Sequence, residues 1–247
     1  MRLRMRALGA VLVCLGMGLA GCSSTTATSS GGVQDEAVAS ASASGAAPEA
    51  VEASEPAVSC ADGGVCAFGD TGPGGGVVFY VATAPFSAPG TACGDDCMYL
   101  ETPTFDVAAP ILWCSGPGAA TGFSVDAMGT AIGSGWLNTQ AMLGTTNSPP
   151  AEICTSGAAQ AASTPVGGLS DWYLPSTDEM STLLDAVVGG GLATQYGVNF
   201  SFDAYWTSTQ ASGKNYATAY CQGFTSLKMG TCDKTTNPQA VHSIRAF

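Results

Sequence analysis

The sequence has few basic residues, a single histidine and no long apolar run, and each shortage excludes a class of function. The 247-residue chain contains seven Lys and Arg against 19 Asp and Glu. After Cys22, all 19 acids remain but only four bases, which leaves this part of the chain near −15. Such an acidic chain repels nucleic acid, anionic lipid and sulfated polysaccharide, so none of these is expected as its main partner.

Catalytic motifs are missing as well. His242 is the only histidine and no Gly-x-Ser-x-Gly motif is present, which disfavours a nucleophile–histidine hydrolase. The glycine-rich run at 68–76 precedes a strand and no Gly-Lys-Ser/Thr follows it, so it does not predict a phosphate-binding loop. We therefore expect no enzymatic activity, with a hydrolase or an oxidase as the less favoured alternative.

Metal-binding motifs are equally sparse. No segment matches an EF-hand loop, although the short loop with Asp95 and Asp96, or the acids around Asp203, would offer oxygen ligands. We expect no cofactor, and calcium is the alternative.

The N-terminal uncharged run, Ala7–Leu19, is 13 residues long and too short to span a bilayer. Arg2, Arg4 and Arg6 precede it, which is the pattern of a signal peptide at 1–21. An ordinary secretory signal is the alternative to the more specific interpretation that follows.

The residues Leu19-Ala20-Gly21-Cys22 resemble the bacterial lipobox. That resemblance implies cleavage before Cys22 and attachment of acyl chains such as palmitate to this cysteine. Two or more chains anchor a protein stably to a membrane. By resemblance to enterobacterial lipoprotein sorting, Ser23 in place of aspartate favours the outer membrane. We therefore expect a lipid-anchored protein of the bacterial cell envelope that faces the surface or the periplasm.

Residues 22–59 differ in composition from the rest. After Cys22, Ala and Ser supply about half of this segment, which has five acids, no bases and no aromatics. Such a segment buries too little apolar surface to offset the entropy of ordering it. We interpret it as a flexible tether with a reach of about 30–35 Å, followed by one folded domain at 60–247.

The folded domain contains eight cysteines, an even number that predicts four disulfides in an exported chain. Eight cysteines allow 105 pairings, so the sequence leaves the connectivity open. The simplest choice joins neighbours, and a zinc site that uses Cys93 and Cys97 is the disfavoured alternative. The neighbouring pairs are Cys60–Cys66, Cys93–Cys97, Cys114–Cys154 and Cys221–Cys232.

A helix after Pro175 is the most strongly specified element. Ser176 and Glu179 have the spacing of a capping box. The apolar residues from Met180 to Val188 recur at a spacing of three and four, and Gly189-Gly190-Gly191 ends the pattern. Shorter helices are expected from about Asn138 and at 158–162.

Strands are predicted at 77–81, 98–101, 203–209, 216–224 and 240–247, where aromatic and β-branched residues concentrate. Five predicted strands accompany three helices, so we predict an α+β fold, mostly antiparallel with few helices and with long disulfide-braced loops.

Four motifs in order resemble one family: Gly69–Tyr80, Asp171–Ser176 with Glu179, Tyr205–Ser208 and Ile244–Phe247. The family is the C-terminal domain of Legionella-type collagen-like adhesins, and the Leu-Pro-Ser-x-x-Glu element also resembles the formylglycine-generating-enzyme and C-type-lectin-like superfamily. The resemblance implies a C-type-lectin-like fold and an extracellular binding role. The collagen-like repeats that precede the domain in that family are absent here, so the oligomeric state stays open.

From these observations we expect a surface lipoprotein whose lectin-like domain binds an extracellular protein or glycan. Trp113 and Trp136 lie in the long loop region between Thr102 and Val166 and are the candidate ligand-stacking residues. A structural envelope protein without a discrete ligand is the alternative.

Overall fold

The computed structural model describes residues 57–120, 122–146, 152–213 and 216–247. The predicted signal peptide, the lipidated Cys22 and nearly all of the tether lie outside these residues. The described residues belong to one compact unit, Ser54–Phe247. Within the described ranges, no helix has the length and apolar character needed to cross a bilayer.

The strands and helices follow one another along the chain with short 3-10 turns between some of them. The strands are β1 (Val77–Phe86), β2 (Cys97–Thr102), β3 (Ala108–Ile111), β4 (Cys114–Ser115), β5 (Ser156–Gly157), β6 (Ala204–Gln210), β7 (Thr218–Gly223), β8 (Lys228–Asp233), β9 (Gln239–Val241) and β10 (Arg245–Ala246). The helices are α1 (Ser134–Leu143), α2 (Ala158–Ala162), α3 (Thr177–Val188) and α4 (Leu192–Tyr196).

These strands form sheets in the orders β1-β2-β10, β3-β9-β6-β7-β8 and β4-β5. Among the described pairs, only β6 and β9 run parallel, at Tyr205 and Ala240. The prediction of a mixed α and β fold with mostly antiparallel sheets and few helices is confirmed.

The capping box of α3 is present. The Ser176 hydroxyl accepts from the Glu179 amide at 3.3 Å, and the Glu179 carboxylate accepts from the Ser176 amide at 2.7 Å. Glu179 is fully buried and also accepts from the Gly133 amide and the Tyr173 hydroxyl, at 2.9 and 3.0 Å. The carboxylate therefore joins α3 to the start of α1 as well as capping its own helix.

The glycine-rich run forms a turn that holds a buried carboxylate. Glu101 accepts from the amides of Gly74 and Gly76 at 2.9 and 3.0 Å, and Arg245 contacts it at 2.9 Å. A Cβ on Gly74 would lie 2.8 Å from a Glu101 oxygen. The absence of a side chain at this position therefore allows the carboxylate to approach the backbone. The glycine-rich turn is thus built around the ion pair of Glu101 with Arg245. Asp171 contacts the same guanidinium group at 2.6 Å.

All four neighbouring disulfides are present in the structure, which confirms the simplest pairing. Three of them close loops of 4 to 11 residues, whereas Cys114–Cys154 spans 40. This last bond encloses α1 within the long loop region.

Several element boundaries differ from the prediction. Helix α1 begins at Ser134 rather than near Asn138, because the Gly133 amide is held by Glu179 from a distant segment. Val188, predicted on the apolar face of α3, is 60% exposed at the helix end. The predicted last strand divides into β9 and β10, and residues 242–244 between them belong to neither strand. Strands β3, β4, β5 and β8 and helix α4 were not predicted.

Candidate functional site

Trp113, expected to stack on a ligand, lies in the core instead. Its ring is fully buried, its indole N–H donates to the Thr207 carbonyl at 2.7 Å, and the Lys234 ammonium lies 5.2 Å from the ring centre. A ring enclosed in this way has no face for a ligand, so its predicted role is wrong. Aromatic residues occur both in apolar cores and in ligand-stacking sites, and Trp113 belongs to the core.

Trp136 is half-buried. Its ring packs edge to face on Tyr173, with 6.1 Å between ring centres, and lies against Gly90. A ligand-binding role for Trp136 therefore stays a prediction, at a position separate from the groove described next.

A concave surface with both aromatic and polar lining lies between the α3–β6 connection and the turn after β7. This groove has a volume of about 510 Å³, within the range of small-molecule sites. Its lining residues are Val187, Ala193, Gly197, Val198, Asn199, Phe200, Ser201, Phe202, Asp203, Phe224 and Thr225.

Aromatic rings form one wall of the groove. Phe200 stacks on Phe224 with ring centres 4.5 Å apart, and the Tyr205 ring meets Phe224 edge-on at 4.8 Å. Because Tyr205 is fully buried in β6, it supports the two partly exposed phenylalanine rings from inside the sheet. The wall is therefore a packed aromatic surface, and its side chains have little freedom to collapse.

Polar side chains surround these rings. The Asn199 amide donates to the Ser201 hydroxyl at 2.9 Å, and the Thr225 hydroxyl donates to Asp203 at 2.8 Å. All four residues are exposed. The groove thus offers carboxylate, amide and hydroxyl groups beside an apolar face.

Behind the wall, Asp106 fixes the backbone of residues 199–203. Its Oδ2 accepts from the Ser201 amide at 2.9 Å and from the Tyr205 hydroxyl at 3.2 Å, and its Oδ1 lies 3.0 Å from His242 Nδ1. Burial by itself would raise the pKa of Asp106, but hydrogen bonds with His242 and the Ser201 amide outweigh it and lower the pKa.

His242 is fully buried. Its Nε2 lies 3.2 Å from the Pro103 carbonyl oxygen and its ring stacks on Phe200 at 4.4 Å. Both nitrogens thus have protein partners, and neither is available for proton transfer to a bound substrate.

Basic groups are scarce on the described surface. Arg245 is 5% exposed and Lys234 is fully buried, where desolvation lowers the pKa of its ammonium to about 8. Among the Lys and Arg residues that the structure describes, only Lys228 is exposed. Two of the three Lys and Arg side chains that the structure describes are therefore withdrawn from the surface.

The acidic loop considered for calcium has internal partners. Asp95 accepts a hydrogen bond from the Ser87 hydroxyl. Across the residues that the structure describes, no three His, Cys, Asp or Glu side chains come together as a set able to hold a metal ion.

A second hollow, of about 300 Å³, lies in the long loop region where the sequence placed the function. Asp126, Ser134, Leu137 and Asn138 are among its lining residues. It lacks aromatic lining, so the larger groove is the better candidate site.

Sequence reasoning missed Phe200 and Phe224 as site residues. The segment Asn199-Phe200-Ser201-Phe202-Asp203 alternates polar and aromatic residues directly before a strand, and this pattern was available as a signal. No family model matches this sequence, and no curated protein matches it either.

Proposed function

We propose that this protein is a lipoprotein of the bacterial envelope whose C-type-lectin-like domain binds an uncharged glycan in the groove at residues 197–203 and 224–225. The tether holds the domain away from the membrane in which Cys22 is anchored. An extracellular protein is the other ligand class compatible with a binding module of this kind.

The observation that carries the proposal is the combination of Phe200 and Phe224 with the polar groups of Asn199, Asp203 and Thr225. A pyranose ring has an apolar face, which packs on aromatic rings, and hydroxyls that need directed partners. An Asp carboxylate accepts from sugar hydroxyls, and an Asn amide both donates and accepts. The groove provides both kinds of contact side by side.

The charge distribution supports a neutral ligand. Asp203 lines the groove, and no Lys or Arg is among its lining residues. An anionic sugar would be repelled by Asp203 and find no basic lining residue to pair with, whereas a neutral sugar loses little by binding near a carboxylate. The resemblance to lectin-like adhesin domains implies an extracellular binding role and does not by itself select a neutral ligand.

A screen of neutral and acidic oligosaccharides on an array, followed by calorimetric titration of the strongest binder, tests the proposal. We expect a saturable neutral ligand whose affinity falls at least about tenfold, or about 1.4 kcal/mol, in Phe224→Ala. Asp203→Asn changes an exposed side chain and leaves the aromatic packing intact. We expect it to weaken binding several-fold, by about 1 kcal/mol, because one charged hydrogen bond to the ligand is lost.

Two matched controls lie outside the groove. Phe123→Ala removes a phenylalanine that is 41% exposed, and Asp126→Asn changes an acid in the second hollow. Both are expected to leave affinity unchanged. A screen without binders would favour the structural envelope protein, and equal losses in controls and groove variants would place the site elsewhere.

A further inference from the structure

The buried ring of His242 faces two hydrogen-bond acceptors. Nε2 lies 3.2 Å from the carbonyl oxygen of Pro103, which can only accept. Nδ1 lies 3.0 Å from Oδ1 of Asp106. The other oxygen of Asp106 already accepts from the Ser201 amide and the Tyr205 hydroxyl. Each ring nitrogen is therefore placed to donate.

A neutral imidazole has one N–H and cannot satisfy both positions. With the proton on Nδ1, the Nε2 lone pair would face the Pro103 carbonyl. With the proton on Nε2, the Nδ1 lone pair would face the Asp106 carboxylate. A ring that carries both protons would donate to both acceptors at once.

The His242 ring has two titratable neighbours among the residues that the structure describes. Its titratable neighbours are Asp106, from the connection between β2 and β3, and Tyr205, from β6. Phe200, from the groove wall, covers it with an uncharged ring at 4.4 Å. The Tyr205 hydroxyl accepts from the Phe202 amide while it donates to Asp106, so the tyrosine acts as a neutral link.

We propose that His242 and Asp106 form a buried imidazolium–carboxylate pair that positions the groove wall at residues 199–203, so that the wall shifts when the ring loses a proton. Two contacts connect the pair to the wall: the Ser201 amide bonds to Asp106, and the Phe200 ring stacks on His242. The effect on ligand binding rests on the proposed function, whereas the pair and its effect on the wall do not.

The single histidine makes the test unambiguous, because the full chain has only one imidazole signal. Nitrogen-15 NMR of the labelled full chain at pH 7 is expected to show protons on both ring nitrogens. As the pH is raised, the amide signals of Ser201 and Phe202 are expected to move together with the ring signals. A ring with one proton at pH 7, or wall amides that stay still while the ring titrates, would overturn the proposal.

Asp106→Asn provides the matched variant. The amide oxygen still accepts from Ser201 and Tyr205, while the amide nitrogen donates to Nδ1 of a neutral ring. We therefore expect one ring proton at pH 7 and wall amides that no longer follow pH. A ring that stays doubly protonated in this variant contradicts the pairing. If Asp106→Asn does not fold, the titration of the unmodified chain still decides the question.

Binding of the array-selected oligosaccharide supplies a separate readout. In the unmodified chain, affinity is expected to decline as the ring signals titrate, and in Asp106→Asn to stay constant over the same pH range. A wall that follows the ring while no oligosaccharide binds would support the pair and contradict the proposed function alone. Binding that stays constant while ring and wall titrate would overturn the regulatory consequence.

Discussion

Three acidic residues, Glu101, Asp106 and Glu179, lie in or at the edge of the core, and each is stabilised in a different way. Glu101 pairs with Arg245, Asp106 lies against His242, and Glu179 has only neutral donors. Burial raises the pKa of Glu179 even though its hydrogen bonds favour the carboxylate. Its contribution to stability therefore depends on the hydrogen-bond geometry.

Replacing Glu179 by Gln tests this dependence. Its two oxygens accept from three donors, so an amide nitrogen at either position would face an N–H or O–H group. We expect Glu179→Gln to lower the free energy of unfolding by about 1–3 kcal/mol, measured by urea denaturation with tryptophan fluorescence.

The neighbouring Asp178→Asn is the matched control. Asp178 is exposed in the first turn of α3, so its loss removes only the interaction with the helix dipole, about 0.3–1 kcal/mol. Equal effects of the two substitutions would show that Glu179 acts through its charge near the helix end, rather than through its buried contacts.

Among the secondary-structure elements, the segment between β4 and β5 depends most on a covalent link. Strands β4 and β5 contribute two residues each, and the Cys114–Cys154 bond closes the 40-residue segment that contains α1. Cys93–Cys97 closes only four residues. A cross-link removes more entropy from the unfolded chain when its loop is longer.

Two double variants compare these bonds. Loop-closure entropy predicts a loss of about 4 kcal/mol for Cys114→Ala with Cys154→Ala and about 2 kcal/mol for Cys93→Ala with Cys97→Ala. Guanidinium denaturation monitored by the buried tryptophans measures both. A larger loss for the short bond would show that local native contacts, rather than loop length, set these energies.

On the scale of the whole molecule, the acidic surface and the proposed anchor act together. A chain with 19 acids and seven bases is repelled by anionic membrane surfaces, so electrostatic attraction offers it no means of attachment. Under the proposed function, membrane association depends on the lipid at Cys22.

Substituting Cys22 therefore separates lipid anchoring from any electrostatic attraction to the membrane. We expect Cys22→Ser to move the protein from the sedimented membrane fraction to the supernatant after cell lysis, as judged by immunoblotting. Cys14→Ser, within the predicted signal peptide, is the control and is expected to remain with the membranes. Continued sedimentation of Cys22→Ser would contradict the anchor.

The features that the sequence predicted well depend on neighbours in the chain. The capping box of Ser176 and Glu179 acts over three residues, and the short disulfides join cysteines 4 to 11 residues apart. Strands β1 and β6 follow from runs of β-branched and aromatic residues. Each of these signals is contained in a short window, so no knowledge of the fold was needed.

The complete site could not be assembled in this way, because the contacts that support its wall join residues far apart in sequence. Asp106 meets His242 across 136 positions and Ser201 across 95. Trp113 and Trp136 are equally plausible ligand residues in the sequence, but the packing around Thr207 and Lys234 encloses the first of them.

By itself, the sequence determined the capped helix α3, the expectation of four disulfides and the strongly acidic composition, since local geometry, cysteine number and charge do not require tertiary contacts. The tertiary structure alone decided that Glu179 also holds α1, that Trp113 is a core residue, and that Phe200 and Phe224 meet in a groove. The physical reason is that burial and long-range hydrogen bonds assign different roles to residues of the same type.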